Sequence, residues 1–328
     1  MKIMVYEARP DERADLEKQA ALHGVELSVT DAVPTLENAS LAAGCIGVSI
    51  LGQGCIDAAL LDAYHALGIR YLSTRTIGYD HIDLDHARSI GLRVCSASYA
   101  PNGVADFTVM MILMCLRHYK QALWRGQVND FSLTGLQGRE MKDLTIGIIG
   151  TGRIGAQVAR NLSGFGCRIL AYDLRRNPAV EPQVTYVDFD TLLAQSDVIT
   201  LHMPLLDSNR HIINRESIAK MRDGVVIVNC SRGELADIEA LIEGIETGKI
   251  GALGMDTVEG DEGIIHADHR VDILPNRNWF YLHQFRNVIM TQHMAFYTDA
   301  AVSSMVDCGI GGICQMAAGE SCPTELTG

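Results

Sequence analysis

The sequence predicts an α/β fold built as two open parallel-sheet domains, and three observations predict it. Short runs rich in Val, Ile and Leu alternate with helical-looking segments along the whole 328-residue chain. The alternation comes in two separate series, one over residues 1 to about 100 and one from residue 145 onward. Parallel strands need long crossovers, and the intervening helices supply them. Finally, 48% of residues are hydrophobic and 20% charged, a globular balance, and the length suits two domains with a core each.

In the first series, K-I-M-V-Y (2–6) reads as a buried strand, and a charged helix (11–23) follows and stops near Gly24. Strands at 45–50, 70–74 and 92–96 then alternate with helices at 56–67 and 83–90. A long helix starts near Asn102 and is apolar on most faces, which predicts burial between domains or in a subunit interface. The second series places strands at 145–150, 168–173, 197–202, 225–230, 251–256 and 287–291. A helix over 236–248 ends on its glycine stop, and another covers 301–308.

Charge narrows the partners. With 27 basic and 40 acidic residues the net charge is −13, which argues against nucleic acid and against an anionic membrane surface. An anionic small molecule needs only local positive charge. None of the nine cysteines forms a C-x-x-C pair, and runs such as V-C-S (94–96) bury theirs, so they read as thiols in a reducing compartment rather than zinc ligands. The N-terminus lacks signal-peptide shape and no apolar run approaches the roughly 20 residues of a membrane span, so a cytoplasmic location is expected.

G-T-G-R-I-G (150–155) fits G-x-G-x-x-G, follows a strand and opens a helix. Gly150 permits the tight turn, Gly152 lets the backbone approach a pyrophosphate, and Gly155 allows close helix–strand packing. Asp173, 18 residues past Gly155, ends the next strand, where an acid bonds the adenosine ribose. This is a Rossmann signature. Asp173 favours NAD over NADP because it repels a 2′-phosphate, while Arg175 and Arg176 leave that choice open.

These motifs fall in one order with others: T-R-T-I-G-Y-D-H-I-D (74–83), Y-A-P-N (99–102), H-M-P (202–204), V-N-C-S-R-G (228–233) and T-Q-H (291–293). Over nearly its whole length the chain resembles the D-specific 2-hydroxyacid dehydrogenase family, its D-lactate, D-2-hydroxyisocaproate and aromatic-lactate branches most of all. The resemblance implies a flavodoxin-like substrate domain (1–101 plus 294–328) interrupted by an NAD-binding Rossmann domain (102–293), with the active site in the cleft. It implies a homodimer and a small 2-oxo or 2-hydroxy acid as substrate. Arg232 takes the position of the arginine that binds and polarises the substrate, and His293 that of the acid–base histidine. A guanidinium suits a carboxylate because it offers two parallel bonds, and an imidazolium suits proton delivery near neutrality.

Further positions carry over residue by residue. Arg153 and Ile154 flank the pyrophosphate turn; His202, Met203 and Pro204 line the cofactor, and Asn209 bonds it. Cys230 and Ser231 offer backbone near the nicotinamide, and Asp256 bonds the carboxamide. The N–H groups of Ile77 and Gly78 receive the substrate carboxylate, and Tyr99 and Tyr297 wall its pocket. His81 reads as structural, and His266, His269 and His283 lack the carboxylate pattern of a metal site.

Two departures stand out. Gln292 replaces the proline of the common T-P-H. Where relatives carry a glutamate that pairs with the histidine, this chain has Asp261, one methylene shorter; a one-residue shift would substitute Glu262. The loop I-L-G-Q-G-C (50–55) holds no cation for a second carboxylate, and Gly52 and Gly54 suggest room for a bulky group. Monocarboxylic acids from pyruvate-like to phenylpyruvate-like are expected. Two alternatives remain: an NAD-sensing corepressor-type module, and a dehydrogenase of another small hydroxyacid such as glycerate.

Overall fold

The computed structural model describes residues 1–328. Strands and helices alternate as predicted, and the chain separates into two units, Met1–Ala100 with Tyr297–Gly328, and Pro101–Phe296.

The first unit carries β1 (Lys2–Val5), β2 (Glu26–Val29), β3 (Gly47–Ile50), β4 (Tyr71–Thr74) and β5 (Arg93–Cys95), all parallel, in the order β2-β1-β3-β4-β5. That is the flavodoxin order. Side chains alternate across the sheet: Ile3 and Val5 join a core with Val306, Ile310 and Ile313, while Met4 and Tyr6 join one with Leu61, Tyr64 and Leu72. The helices behind these cores are α1 (Arg13–His23), α2 (Ala58–Ala66), α3 (Leu84–Ser89) and, near the end of the chain, α11 (Asp299–Ala317).

Three features here escape the sequence reading. β2 is an edge strand with no fully buried residue, so it lacks the apolar signal. α11 runs nine residues beyond the expected 308, through Gly309, Gly311 and Gly312. Those glycines look like breakers but serve close packing: a Cβ on Gly312 would lie 2.6 Å from Cys95 Sγ. At 19 residues α11 is also long and apolar enough to cross a membrane, yet half of it is buried within the unit. Last, the C-terminal tail lies along β5 through Ser96 N–H to Thr324 O (3.0 Å) and Leu326 N–H to Val94 O (2.8 Å), covering an otherwise open edge.

Polar order in this unit gathers where the strands end. Arg75 and Glu12, both 0% exposed, form a buried pair at 2.9 Å. The Arg75 guanidinium also donates to Ser49 Oγ and Tyr6 O. A desolvated pair of this kind fixes geometry more than it adds stability, and it fixes the chain immediately before Ile77 and Gly78. Buried Glu7 accepts from the N–H groups of Leu51, Gly52 and Gln53 and thereby shapes the loop after β3.

The second unit holds β6 (Thr145–Ile149), β7 (Arg168–Tyr172), β8 (Thr185–Tyr186), β9 (Val198–Leu201), β10 (Val225–Asn229), β11 (Ile250–Met255) and β12 (Val288–Met290). They form one parallel sheet, β12-β11-β10-β9-β6-β7-β8. From β6 the chain winds outward to β8, then returns to β9 and winds the other way. Ligands of such sheets bind beyond the strand C-termini at that reversal. The long apolar helix is α4 (Asn102–Leu116), packed on α6 (Arg153–Ser163), β10 and β11. The next helix, α5 (Tyr119–Gln127), has no buried residue. α7 (Phe189–Gln195), α8 (Arg215–Lys220), α9 (Ile238–Glu246) and α10 (Arg277–His283) complete the unit.

Candidate active site

Five strand ends of the second unit deliver the predicted residues to one edge of its sheet: Gly150 after β6, His202 after β9, Cys230 to Arg232 after β10, Asp256 after β11 and His293 after β12. The glycine-rich turn fits a dinucleotide. Gly150 sits at φ +94°, and a Cβ there would lie 2.5 Å from His202 O. A Cβ on Gly155 would meet Gly150 O at 1.9 Å, whereas Gly152 has nothing within 4 Å. The N-cap of α6 is Gly152, which offers no side-chain cap, and the helix opens at Arg153 and Ile154 directly after the glycine turn, where the positive dipole end suits a phosphate. Asp173 Oδ2 accepts from Thr151 N (2.6 Å) and Thr151 Oγ1 (3.0 Å), and Oδ1 accepts from Arg175 N (3.0 Å). One lone pair on Oδ1 is left for a ribose hydroxyl. Arg176 lies over the Tyr186 ring, 5.5 Å from its centroid.

These contacts separate two kinds of glycine substitution. Gly155→Ala forces backbone apart and is expected to lower Tm and weaken NADH binding on the order of tenfold or more. Gly152→Ala meets open space, so Tm should hold while NADH affinity falls. Thermal melts and fluorescence titration check both; a Tm loss at Gly152 equal to that at Gly155 would contradict the packing argument.

The loops after β9 and β10 are stitched together. Ser231 Oγ donates to Met203 O at 2.6 Å. Asn209, expected to bond the cofactor, commits both amide donors locally, to Pro204 O (2.8 Å) and Met203 Sδ (3.4 Å), and accepts from Leu206 N (2.8 Å). It holds the loop's shape. His202 Nε2 pairs with Thr200 Oγ1 at 2.9 Å, and burial pushes the ring down to about 3. Asn229, which the sequence reading passed over, shapes the turn that presents Arg232: its Oδ1 accepts from Ser231 N (3.0 Å) and its Nδ2 donates to Arg232 O (2.7 Å). Asparagine next to S-R-G at a strand end is a turn signature that could have flagged it.

His293 occupies a left-handed backbone conformation, φ +52°. Asp256, 1% exposed, fixes that loop: Oδ1 accepts from Thr291 Oγ1 (2.6 Å) and Met294 N (2.9 Å), and Oδ2 from Ala295 N (2.8 Å). Burial pushes the His293 ring down to about 4; Asp256 pulls upward, while Arg232 and His266 add to the depression. Asp261, expected to pair with His293, makes no hydrogen bond to it in this structure. Asp261 folds back on its own turn, with Oδ2 accepting from Val258 N at 3.2 Å, and burial chiefly raises its carboxyl to about 6. Glu262 is exposed, and Glu259 bonds His211 at 2.6 Å. Of the four acids between Gly254 and Gly263, Asp256 is the one whose charge reaches His293, and the carboxylate expected to bond a carboxamide already holds three donors.

In the first unit, Ile77 and Gly78 follow β4, half-buried, and no acceptor in the chain takes either N–H. Tyr99 is half-buried and Tyr297 exposed, with the Arg9 guanidinium 5.0 Å from the Tyr297 ring centroid. The space expected at Gly52 and Gly54 is not open. A Cβ on Gly52 would lie 3.0 Å from the His81 ring and one on Gly54 2.7 Å from Val33, so both permit packing within the unit.

Residues 109–295 match the family model of the D-isomer-specific 2-hydroxyacid dehydrogenase NAD-binding domain. An aromatic 2-oxoacid reductase of Clostridium sporogenes is 42% identical over 311 residues, covering 94% of this chain and 93% of that protein. The apo D-lactate dehydrogenase of Escherichia coli superposes with a TM-score of 0.87 at 35% identity, covering 99% and 100% of the two chains. The NAD-complexed D-isomer-specific 2-hydroxyacid dehydrogenase of Lactobacillus delbrueckii ssp. bulgaricus gives 0.85 at 30% identity, with 99% and 100% covered. With its parallel-sheet architecture and dinucleotide cradle, the chain belongs to the NAD-dependent, D-isomer-specific 2-hydroxyacid dehydrogenase family.

Proposed function

We propose that the enzyme reduces a monocarboxylic 2-oxo acid, pyruvate-like to phenylpyruvate-like, to the D-2-hydroxy acid. One observation carries the reading: Arg232 and His293 share one electrostatic neighbourhood at the sheet edge that bears the glycine-rich turn. NADH, when bound, supplies the hydride for C2 of the substrate. Arg232 binds the substrate carboxylate and polarises the ketone. His293 gives its proton to the ketone oxygen and takes it back in the reverse direction. Arg232 depresses the His293 ring in the free protein. A carboxylate arriving on Arg232 offsets that charge, so substrate binding and protonation of His293 favour one another. The names of the relatives, an aromatic 2-oxoacid reductase and a D-lactate dehydrogenase, support the proposed substrate range.

The same reading makes the protein a cytoplasmic homodimer. All nine cysteines are free thiols, as a reducing compartment keeps them. Leu123 and Trp124 of α5, with Val128, Phe131 and Leu133 beyond it, are all more than half exposed, an apolar face suited to a second copy. The test is NADH oxidation with pyruvate, 2-oxoisocaproate, phenylpyruvate and 2-oxoglutarate, followed by chiral analysis of the product. D-products from the first three with little turnover of the dicarboxylate are expected. An L-product, or a preference for 2-oxoglutarate, overturns the proposal.

A further inference from the structure

His266 lies in the irregular segment between β11 and α10. Its Nε2 is 3.2 Å from the main-chain oxygen of His293. A carbonyl oxygen only accepts, so Nε2 carries a proton and donates it. The two imidazoles pack with centroids 6.1 Å apart. Each also meets the Phe296 ring edge-on at 6.4 Å. Both histidines sit at positive φ, +62° and +52°. A non-glycine residue keeps such a conformation only where its surroundings enforce it. The charged or titratable groups bearing on His293 are Asp256 from the end of β11, Arg232 from the turn after β10, and His266 from this segment.

We propose that His266 is a positioning residue for proton transfer: it holds the His293 loop in its left-handed turn through the main-chain carbonyl, and its charge acts directly on the His293 ring. The inference deepens the reaction proposed above and rests on His293 being the proton donor. Asp256 favours the imidazolium and His266 opposes it, so the two residues set the ring from opposite sides. A donor that also carries charge performs both tasks; an asparagine performs only the first, and a phenylalanine neither.

The test is an NMR titration of the His293 ring in the wild type, His266→Asn and His266→Phe, with pH profiles of kcat/KM for 2-oxo acid reduction at saturating NADH. Removing His266 removes a like charge. His293 is therefore expected to titrate higher in both variants, by about 0.5–1 pH unit at this separation, and the alkaline limb of reduction should move up with it. His266→Phe should in addition lower kcat at its own optimum by about tenfold, with His266→Asn retaining most of it. An unchanged His293 titration in His266→Asn overturns the electrostatic role. Full kcat in His266→Phe overturns the positioning role. The titration is read on the free enzyme, so it is decided separately from the identity of the proton donor, which the rate of His293→Gln decides.

Discussion

His293→Gln is expected to lower kcat for reduction by about two to four orders of magnitude, the usual contribution of a positioned proton donor. Glutamine keeps a hydrogen-bonding side chain of similar reach but offers no proton of suitable acidity. NADH affinity should hold, because the cradle at Gly150, Gly152 and Gly155 lies on a different strand end from His293. Arg232→Lys should split the parameters differently. A lysine keeps the charge and loses the fork that grips a carboxylate at two points, so KM for the 2-oxo acid rises with a smaller fall in kcat. Steady-state kinetics with a fluorescence Kd for NADH separate the two outcomes. His293→Gln turning over at the wild-type rate would remove the proton-donor assignment, and Arg232→Lys with an unchanged KM would remove the carboxylate anchor.

The sequence carried the second unit further than the first. Most of its strands are buried on both faces, as in V-V-I-V-N, where Val225–Asn229 is buried throughout, so composition alone marks them; the short edge strand β8, with no buried residue, went unmarked. β2 (E-L-S-V) is half-exposed and carries no continuous apolar run, and α11 is interrupted by glycines whose purpose shows only once Cys95 is seen against Gly312. The glycine turn and Asp173 were legible because their function is local, set by spacing along one β-α-β stretch. Asp256 was legible as a site residue but not in its role. That role depends on Thr291, Met294 and Ala295, 35 to 39 residues away. Position along the chain pointed to Asp261, while the fold turns that shorter side chain back onto Val258. The room inferred at Gly52 failed for a similar reason: a small residue opens space only if nothing else fills it, and His81 does.

Asp256→Asn is expected to damage stability and catalysis together, and the direction of its pH effect distinguishes it from every other variant at the site. The carboxylate receives three donors on two oxygens at 1% exposure. An amide has one acceptor oxygen, so whichever way it turns its NH2 faces a buried N–H or O–H donor. Each donor left unsatisfied costs about 1–3 kcal/mol, and Tm should fall accordingly. The lost charge acts separately. Asp256 raises the His293 ring, so removing it lowers the pH at which the imidazolium is lost. Reduction needs the imidazolium, so its alkaline limb moves to lower pH, opposite to the shift expected for His266→Asn. Asp261→Asn supplies the contrast. Its carboxyl is raised to about 6, chiefly by burial. An acid raised on folding lowers stability as pH climbs from its unfolded value through its folded one. Asp261→Asn keeps an acceptor for Val258 N and removes that cost, so above about pH 6 its Tm should rise and the His293 limb should stay in place. Melting curves and pH–rate profiles on both variants decide the matter. A limb that moves in Asp261→Asn and stays in Asp256→Asn would return the role to Asp261, and with it the requirement that the turn at Val258 opens during turnover.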